Sequence, residues 1–442
     1  MAQISPFNGI RYNPDVAGQL NKVVAPPYDV ISPEEQDALY QSSPFNCVRI
    51  ILNRSEPTDD TQGPYQRAAG FLDDWLFEGV LKEDDEQGLY LYRQEYTNPA
   101  DGRRYSRTGL FCALALEPYS AGIVLPHEET RTKAKEDRLR LMSSTRANPE
   151  PIYGLYEDAS GYLARTATAA AEASSGFAVD VEGDLHEVRR ISNPDAIHAI
   201  QKYLQDQRIW IADGHHRYET ALLYRDERRT GEGAPNTQPV RASYPTPDTH
   251  AYDSILVVLS AFSDPGLVVM PTHRLIKNVS PGKLEQLLLQ LERYFQIEPV
   301  PLVELAERMK ADPSTGVHRF GMVNGEKAWV VTLSDEDVMD IAVEGHCEAW
   351  RRLDVSILHT LILERSLGIP VASLAKTPDV GYTRSRDEAI DKVRSCEYQL
   401  AFLLNDPTAD EVRQVASAGD KMPPKSTFFY PKLWSGLLMR RL

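Results

Sequence analysis

One segment, residues 209–227, constrains this chain more than any other part of the sequence. It begins as a short apolar run, Ile209–Ala212, typical of a strand, and continues as a helical pattern that includes Tyr218. Asp213 and Gly214 separate the two patterns and predict a sharp turn. A turn that leads from a strand into a helix directs the helix's free N–H groups and the positive end of its dipole into one small space. Such a space favours an anion, and a phosphate in particular.

The side chains that follow the turn also suit an anion. His215, His216 and Arg217 add side-chain donors at the point where the predicted helix begins. The sequence therefore predicts a phosphate-binding element made of Asp213, Gly214 and these three residues.

Length and charge restrict the class of protein. A chain of 442 residues is long enough for two lobes. Its formal charge of −16 disfavours nucleic acid and anionic membranes as partners. The four cysteines lie far apart without a C-x-x-C pair, and neither a signal peptide nor an apolar run of membrane length is visible. These features predict a soluble cytoplasmic protein that acts on a small molecule, and they leave a homodimer open.

The order of helical and strand patterns predicts a mixed α/β fold of the α+β type. Leu89–Tyr96 and Thr108–Leu116 predict two paired strands joined by a loop that carries Asp101 and Gly102, and the strand–turn–helix described above follows them. Residues 231–253 are rich in Gly, Pro, Thr and Asn and predict a long surface loop. We expect a sheet-based lobe over residues 1–290 that contains the phosphate site, and a smaller α+β lobe over residues 291–442.

Three segments place a histidine close to an arginine directly after a predicted strand. They are residues 126–131, 213–217 and 271–274, and the last of them contains His273 and Arg274. Loops at neighbouring strand ends converge on one crevice in sheet-based folds. We therefore expect a shared, locally cationic pocket. The alternative is that each arginine pairs with a surface carboxylate and each histidine only fills its loop.

Three further residues are candidates for catalysis, and one more for binding. Asp29 follows two prolines in a rigid turn, where it could serve as a general base, as a metal ligand or only as a cap of the turn. Glu128 and its neighbour His127 lie in the first of the three segments. Lys425 lies in a stretch with Walker A spacing, but Pro424 replaces the second glycine of that motif. From a loop, Lys425 could still reach a ligand.

The spacing of potential ligands disfavours a metal held by the protein alone. Adjacent helical residues point about 100° apart, so His215 and His216 cannot chelate one ion from a regular helix. The sequence contains neither H-x-x-x-H nor H-x-H spacing. A magnesium ion that arrives with a nucleotide, held by Asp29, Glu128 or Asp213, is the better expectation.

Several segments together resemble a widespread prokaryotic family, domain-of-unknown-function family 1015. The resemblance covers nearly the whole chain in order but implies no established activity. The matching segments are residues 25–32, 126–130 with 137–138, 212–221, 271–274 and 422–432.

The strand–turn–helix element by itself resembles the nucleotide-phosphate motif of the ParB and sulfiredoxin-like fold. Members of that superfamily include CTP-binding switches, sulfiredoxins and free-serine kinases. The resemblance implies that Gly214, His215, His216 and Arg217 contact phosphates. His215 stands where sulfiredoxin has its cysteine, which disfavours sulfinic acid repair. The chain also shows no helix-turn-helix signal or basic face, which disfavours DNA partitioning.

These observations lead to one main hypothesis and two alternatives. The main hypothesis is a phosphotransferase that uses ATP or ADP with Mg²⁺ and acts on a small metabolite, such as the free amino acid serine. In it, Glu128 or Asp29 orients the acceptor hydroxyl. The first alternative is a non-catalytic, nucleotide-binding regulator. The second is a metal-dependent hydrolase that uses His127, Glu128, His215 and His216.

Overall fold

The chain divides into two compact units in a computed structural model. Residues 1–267 and 431–442 form the first unit, and residues 268–430 form the second. Both contain helices and sheets, so the fold is mixed α/β as predicted. The structure describes residues 1–172, 174, 176–231, 251–311, 315–374 and 377–442. Most of the predicted loop over residues 231–253 lies outside these described residues.

The strands and helices of the described residues differ widely in length. In chain order, the strands are β1 (Ile4–Ser5), β2 (Ile10–Tyr12), β3 (Leu81–Glu83), β4 (Leu89–Thr97), β5 (Arg104–Ala115), β6 (Val124–Leu125), β7 (Ala147–Asn148), β8 (Ile152–Tyr156), β9 (Gly176–Val181), β10 (Asp184–Ile191), β11 (Ile209–Asp213), β12 (Ser254–Ala261), β13 (Val268–Met270), β14 (His273–Ile276), β15 (Phe295–Val300), β16 (Arg319–Asn324), β17 (Lys327–Leu333), β18 (Val380–Thr383), β19 (Leu400–Leu403), β20 (Phe428–Tyr430) and β21 (Arg440–Arg441). The α-helices are α1 (Pro14–Ala17), α2 (Pro33–Ser42), α3 (Val48–Ile51), α4 (Gly63–Phe77), α5 (Thr132–Thr145), α6 (Tyr162–Ala171), α7 (Pro194–Gln205), α8 (His215–Thr230), α9 (Pro281–Leu291), α10 (Leu302–Arg308), α11 (Val338–Ala342), α12 (Glu348–Arg351), α13 (Asp354–Ile357), α14 (Arg386–Arg394) and α15 (Ala409–Ser417).

The first unit is built on one mixed sheet of nine strands. Eight of them follow the order β6-β11-β8-β12-β5-β4-β10-β9, and β1 pairs with β5. The predicted hairpin is present, since β4 and β5 pair antiparallel with Tyr92 opposite Gly109. Leu110 of β5 and Val257 of β12 lie in the hydrophobic core of this unit. The sheet thus supplies a rigid base for the segments at its edges.

The second unit has its own sheet and its own core. Its six strands follow the order β15-β17-β16-β19-β14-β18, and every pair is antiparallel. Its core includes Leu275, Val330 and Leu403. A π-helix, Leu358–Ser366, continues α13. None of the helices that the structure describes is both long enough and apolar enough to cross a bilayer.

The division between the units does not lie at the predicted residue 290. Strand β14 precedes that position, yet it pairs with β18 and β19 of the second unit. At the other end of the chain, Met439 and Ile10 exchange backbone hydrogen bonds of 2.9 Å within the first unit. Pairing between segments far apart in sequence decides this division, and the period of an apolar pattern carries no information about such pairing.

Candidate functional site

Two of the three predicted segments begin side by side in the first unit. Strands β6 and β11 are parallel, with Val124 opposite Ile209. The carboxyl ends of parallel neighbours lie at the same edge of a sheet, where ligands of α/β proteins usually bind. Residues 126–131 follow β6, and residues 213–217 follow β11. The topology therefore brings these two segments together.

The turn after β11 depends on a glycine. Gly214 has φ of 92°, in the left-handed region that side chains rarely adopt. A Cβ atom at this position would lie 2.8 Å from Ile152 and 3.1 Å from the Arg217 guanidinium. Helix α8 begins at the next residue, His215, so the glycine sets the direction in which its free N–H groups point.

Replacing this glycine tests how closely the turn is packed. We expect Gly214→Ala to lower the free energy of unfolding by about 2–4 kcal/mol, since the steric conflict adds to a backbone cost of roughly 1–2 kcal/mol. Gly183→Ala is a matched control, because Gly183 has the same φ of 92° and nothing within 4 Å of the added Cβ. Urea unfolding of both variants measures the difference. Equal losses for the two would contradict a close approach at Gly214.

His127 and His215 join the two segments to each other. The backbone N–H of His127 donates to Nε2 of His215 over 3.2 Å, and the two ring centroids are 4.5 Å apart. Nδ1 of His127 donates to the carbonyl of Ile211 at 2.8 Å. Because Nε2 of His215 accepts, the neutral ring has its proton on Nδ1, which lies 3.7 Å from Glu128. Both imidazoles therefore hold the segments in place.

His216 connects the same two segments through another backbone group. Its Nε2 accepts the backbone N–H of Arg131 at 3.0 Å, and burial lowers its pKa, which favours the accepting neutral form. On the next turn of α8, Glu219 accepts from Thr130 at 2.5 Å and from Lys135 at 2.9 Å. In both His215 and His216, Nε2 thus accepts a backbone N–H of the segment 126–131 and cannot donate to a phosphate.

Asp213 lies between two cations at the end of β11. Arg217 donates to Oδ2 of Asp213 over 2.7 Å, and Lys432 donates to Oδ1. Arg217 also donates to the carbonyl of Pro151. Burial acts to raise the pKa of Asp213, but Lys432 and Arg217 outweigh it and hold that pKa below its usual value. Asp213 is therefore ionised at neutral pH.

The Asp29 and Glu128 carboxyls show the opposite behaviour. Both remain accessible to solvent, Glu128 with 55% of its side chain exposed. Desolvation by the surrounding protein, followed by the charge of Asp213, raises the pKa of each. The charge of Asp29 also contributes to the raised pKa of Glu128. Three carboxylates thus interact around one helix N-terminus, and their pKa values are pushed apart.

A buried glutamate holds the turn that carries Asp29. Glu150 accepts the backbone N–H of Tyr28 at 3.1 Å and the hydroxyl of Ser435 at 3.0 Å. The guanidinium of Arg138 lies 3.9 Å from the centre of the Tyr28 ring and 3.7 Å from Glu150. These contacts keep the turn in place, so Asp29 stays near Asp213.

Neither Lys432 nor Glu150 was expected at this site from the sequence. Lys432 belongs to the segment 422–432 that carries part of the family resemblance, but Lys425 looked like the better candidate there. Glu150 lies just before β8 with no motif around it. The only available signal was that an apolar, aromatic segment near Lys432 was neither periodic nor of low complexity.

The predicted residues of the third segment lie in the second unit. His273 and Arg274 begin strand β14 and are buried, so they do not form the expected loop. Nδ1 of His273 accepts the backbone N–H of Leu404 at 3.2 Å, and burial lowers its pKa to about 3. Arg274 donates to His359 and to the carbonyl of Lys425, both over 3.1 Å. His273 and Arg274 therefore belong to a buried cluster within that unit, and the exposed Lys425 contacts this cluster through its backbone carbonyl.

No metal centre is preformed in the part of the chain that the structure describes. There, no three His, Cys, Asp or Glu side chains are grouped so that they could hold an ion by themselves. The arrangement around Asp213 instead offers a helix N-terminus, two cations and three interacting carboxylates. These groups can bind an anion and accept a proton next to it.

Comparison with known proteins identifies a family of unknown function whose model matches most of this chain. A family model described as "Protein of unknown function (DUF1015)" matches residues 4–356. No curated protein sequence matches the chain.

Several solved structures show weak overall similarity to the chain. A free serine kinase in complex with AMP matches with 13% identity and a TM-score of 0.33, over 73% of this chain and 86% of that chain. A conserved hypothetical protein from Pyrococcus furiosus matches with 14% identity and a TM-score of 0.32, over 74% and 92%. SbnI with a C-terminal truncation, from Staphylococcus aureus, matches with 11% identity and a TM-score of 0.34, over 74% and 85%.

Proposed function

We propose that this chain, which belongs to the DUF1015 family of proteins of unknown function, binds a nucleotide by its phosphates and transfers a phosphoryl group to a small metabolite. The proposal rests mainly on three neighbouring carboxyls whose pKa values are shifted in opposite directions. The pKa of Asp213 is lowered, while those of Asp29 and Glu128 are raised. Carboxyls whose environments push their pKa values apart typically divide acid–base and electrostatic roles between them.

The phosphates bind at the N-terminus of α8. Sixteen residues of helix follow Gly214, so the turn presents free N–H groups with the full dipole behind them. Nδ1–H of His215 and the ammonium of Lys432 add donors next to that end. Lys432 keeps 18% of its side chain exposed, so a phosphate can share it with Asp213.

Magnesium fits the carboxylates when it arrives with the nucleotide. Asp29, Glu128 and Asp213 repel one another, and a divalent cation between any two of them would relieve that repulsion. Mg²⁺ usually takes one or two carboxylates and fills its other positions with phosphate oxygens and water.

The transfer step requires a base for the acceptor hydroxyl. The hydroxyl oxygen attacks the terminal phosphorus, the bond between that phosphorus and the bridging oxygen breaks, and the shortened nucleotide leaves with the electron pair. The hydroxyl proton passes to Asp29, whose raised pKa makes it a stronger base than an ordinary aspartate. Glu128 is the second candidate for this role. Free serine is the first acceptor to test, following the local sequence resemblance.

Nucleotide binding is the first experiment. We expect ATP or ADP with Mg²⁺ to stabilise the protein against thermal unfolding, by about 2.7 kcal/mol at a ligand concentration of 100 times Kd. Lys432→Met should remove most of that stabilisation. Lys202→Met is the matched control, because Lys202 lies on the exposed side of α7.

Each other outcome of the binding experiment favours a different function. If zinc or iron stabilises the protein and no nucleotide does, the phosphotransferase proposal fails and the metal-dependent hydrolase gains. If a nucleotide binds but no labelled phosphate reaches any metabolite, a nucleotide-responsive regulator is the better account.

A further inference from the structure

A row of buried polar side chains crosses the sheet of the first unit. Gln94 of β4 stands opposite Arg107 of β5 on one side and opposite His186 of β10 on the other. Residues directly opposite in neighbouring strands point to the same face of a sheet. None of the three exposes more than 1% of its surface. Three side chains with strong hydrogen-bonding groups therefore lie together, away from solvent.

This row has donors that lack acceptors. Arg107 donates from Nη2 to Oε1 of Gln94 and to the carbonyl of Pro431, the latter over 2.8 Å. A guanidinium only donates, so the amide of Gln94 must turn its Nε2 away from Arg107. Among the described residues, nothing accepts a well-aligned hydrogen bond from Nε or Nη1 of Arg107, whose guanidinium lies close to the hydroxyls of Tyr92 and Tyr153, or from Nε2 of Gln94. Buried donors of this kind are normally satisfied.

His186 adds a further donor to the row. Burial and the charge of Arg107 lower its pKa to about 4, so the ring is neutral at pH 7. Its Nδ1 lies 2.8 Å from the hydroxyl of Tyr92. When that hydroxyl donates, the ring proton is on Nε2, for which the described residues provide no partner.

The row also has a positive charge without a matching carboxylate. Buried Arg217 pairs with Asp213, but Arg107 has no ion pair among the described residues. The charge of Arg107 acts to lower the pKa of Asp264. However, the two oxygens of Asp264 already accept the backbone N–H groups of Thr108 at 2.9 Å and Gly266 at 2.8 Å. An isolated buried charge is strongly unfavourable, and an anionic ligand would offset it.

The row lies close to the candidate phosphate site. Tyr153 of β8 stands opposite Asp213, and the guanidinium carbon of Arg107 is 4.8 Å from the centre of the Tyr153 ring. Pro431, whose carbonyl accepts from Arg107, precedes Lys432 in the chain. A molecule bound at the row would therefore have its other end near Asp213.

We infer that Arg107, Gln94 and His186 bind the carboxylate of the acceptor substrate. The acceptor is then a small hydroxy acid or hydroxy amino acid, whose carboxylate occupies the row while its hydroxyl faces the nucleotide. The inference rests on the proposed phosphotransferase function, and it specifies the class of substrate for that function. The guanidinium of Arg107, the amide N–H of Gln94 and the ring N–H of His186 are all donors that a carboxylate can accept.

The experiment compares acceptors that differ only in the carboxylate. The pairs are L-serine with ethanolamine and glycerate with glycerol, each titrated into the protein by calorimetry with ADP and Mg²⁺ present. We expect the carboxylate member of at least one pair to bind and its partner to bind at least about 30-fold more weakly, the factor for losing a buried charged contact. Inorganic phosphate at the same concentration shows whether the row takes any small anion.

Gln94→Glu separates binding from folding. The substitution keeps the shape of the side chain and supplies a carboxylate next to Arg107, so the variant should unfold at the same temperature as the wild type or higher. It should bind the carboxylate acceptor at least about 30-fold more weakly, while its affinity for ADP stays unchanged. Gln296→Glu, at an exposed position of β15, is the control for added charge.

Three results would overturn the inference. They are equal affinity for the two members of both pairs, unchanged carboxylate affinity in Gln94→Glu, and binding of phosphate with no carboxylate bound. Equal affinity within both pairs would mean that water, and not a carboxylate, accepts from the donors of Arg107, Gln94 and His186. If any of these results occurs while ADP still binds, the proposed nucleotide site is unaffected. If the wild-type protein does not bind ADP at all, the proposed function itself is rejected.

Discussion

An Asp29→Asn variant is expected to remain able to bind nucleotide and, once saturated with it, to transfer phosphate about 10²–10⁴ times more slowly than the wild type, the usual contribution of a general base. Asparagine keeps the shape of the side chain but cannot accept the hydroxyl proton. The hydrogen bond from Tyr28 to Glu150 holds the turn and is left intact. A single-turnover assay with labelled nucleotide, combined with calorimetric measurement of Kd, checks both parts.

Two comparisons make this test specific. Asp74→Asn replaces an exposed carboxylate of α4 and should leave both the rate and Kd unchanged. Glu128→Gln tests the second candidate base. If Asp29→Asn transfers phosphate at the wild-type rate and Glu128→Gln does not, the base is Glu128. Wild-type rates in both variants would remove carboxylate base catalysis from the mechanism.

The pH dependence of stability supplies a second readout for Asp29. Its pKa is raised in the folded protein, so the folded state binds the proton more tightly than the unfolded chain does. Stability from this group is therefore fully present below the unfolded pKa and is lost as pH rises through the folded pKa. We expect Asp29→Asn to gain stability relative to the wild type as pH rises toward neutral. A constant difference at all pH values would show that the pKa is not raised.

An Arg217→Met variant should lose about 3–5 kcal/mol of folding free energy and most of its nucleotide affinity. The folding free energy falls because Asp213, which is largely buried, stays ionised with only Lys432 as a partner. The lost affinity follows because Asp213 then draws Lys432 away from the phosphates. Urea unfolding and calorimetry measure the two quantities.

A double variant and a matched control separate these two effects. Asp213→Asn combined with Arg217→Met removes the unpaired charge and should recover part of the stability without restoring nucleotide binding. Arg225→Met is the control, because Arg225 is a buried arginine of the same helix that donates to the carbonyl of Leu116. It should lower stability and leave Kd unchanged. Equal losses of affinity in Arg217→Met and Arg225→Met would mean that Arg217 has no specific role at the site.

The sequence predicted the local elements well because short-range chemistry determines them. The apolar run, the Asp-Gly pair and the helical pattern that follows are enough to predict β11, a sharp turn and α8. Two strand-like runs joined by a loop with Asp101 and Gly102 similarly predicted the hairpin of β4 and β5. In each of these cases, the residues that decide the conformation are within a few positions of one another.

Predictions that depended on contacts between residues far apart in the sequence missed some of the partners of each side chain. Residues 271–274 looked like a loop, but the strand that begins at His273 is stabilised by partners about a hundred or more positions away. His215 and His216 looked like phosphate ligands, yet each first accepts a backbone N–H from the segment 126–131. Which group an imidazole nitrogen bonds to depends on the groups that the fold places next to it. The spacing of residues in the sequence does not reveal those groups.

The sequence by itself therefore determined the helix N-terminus at Gly214, for which an anionic ligand is predicted. Only the tertiary structure decided which groups surround it. Lys432 reaches Asp213 from more than 200 positions along the chain, and Glu150 fixes the turn of Asp29 across more than 100. The physical reason is that a backbone turn is set by neighbouring residues, whereas the pKa of a carboxyl is set by whichever charges and protein atoms the fold places around it.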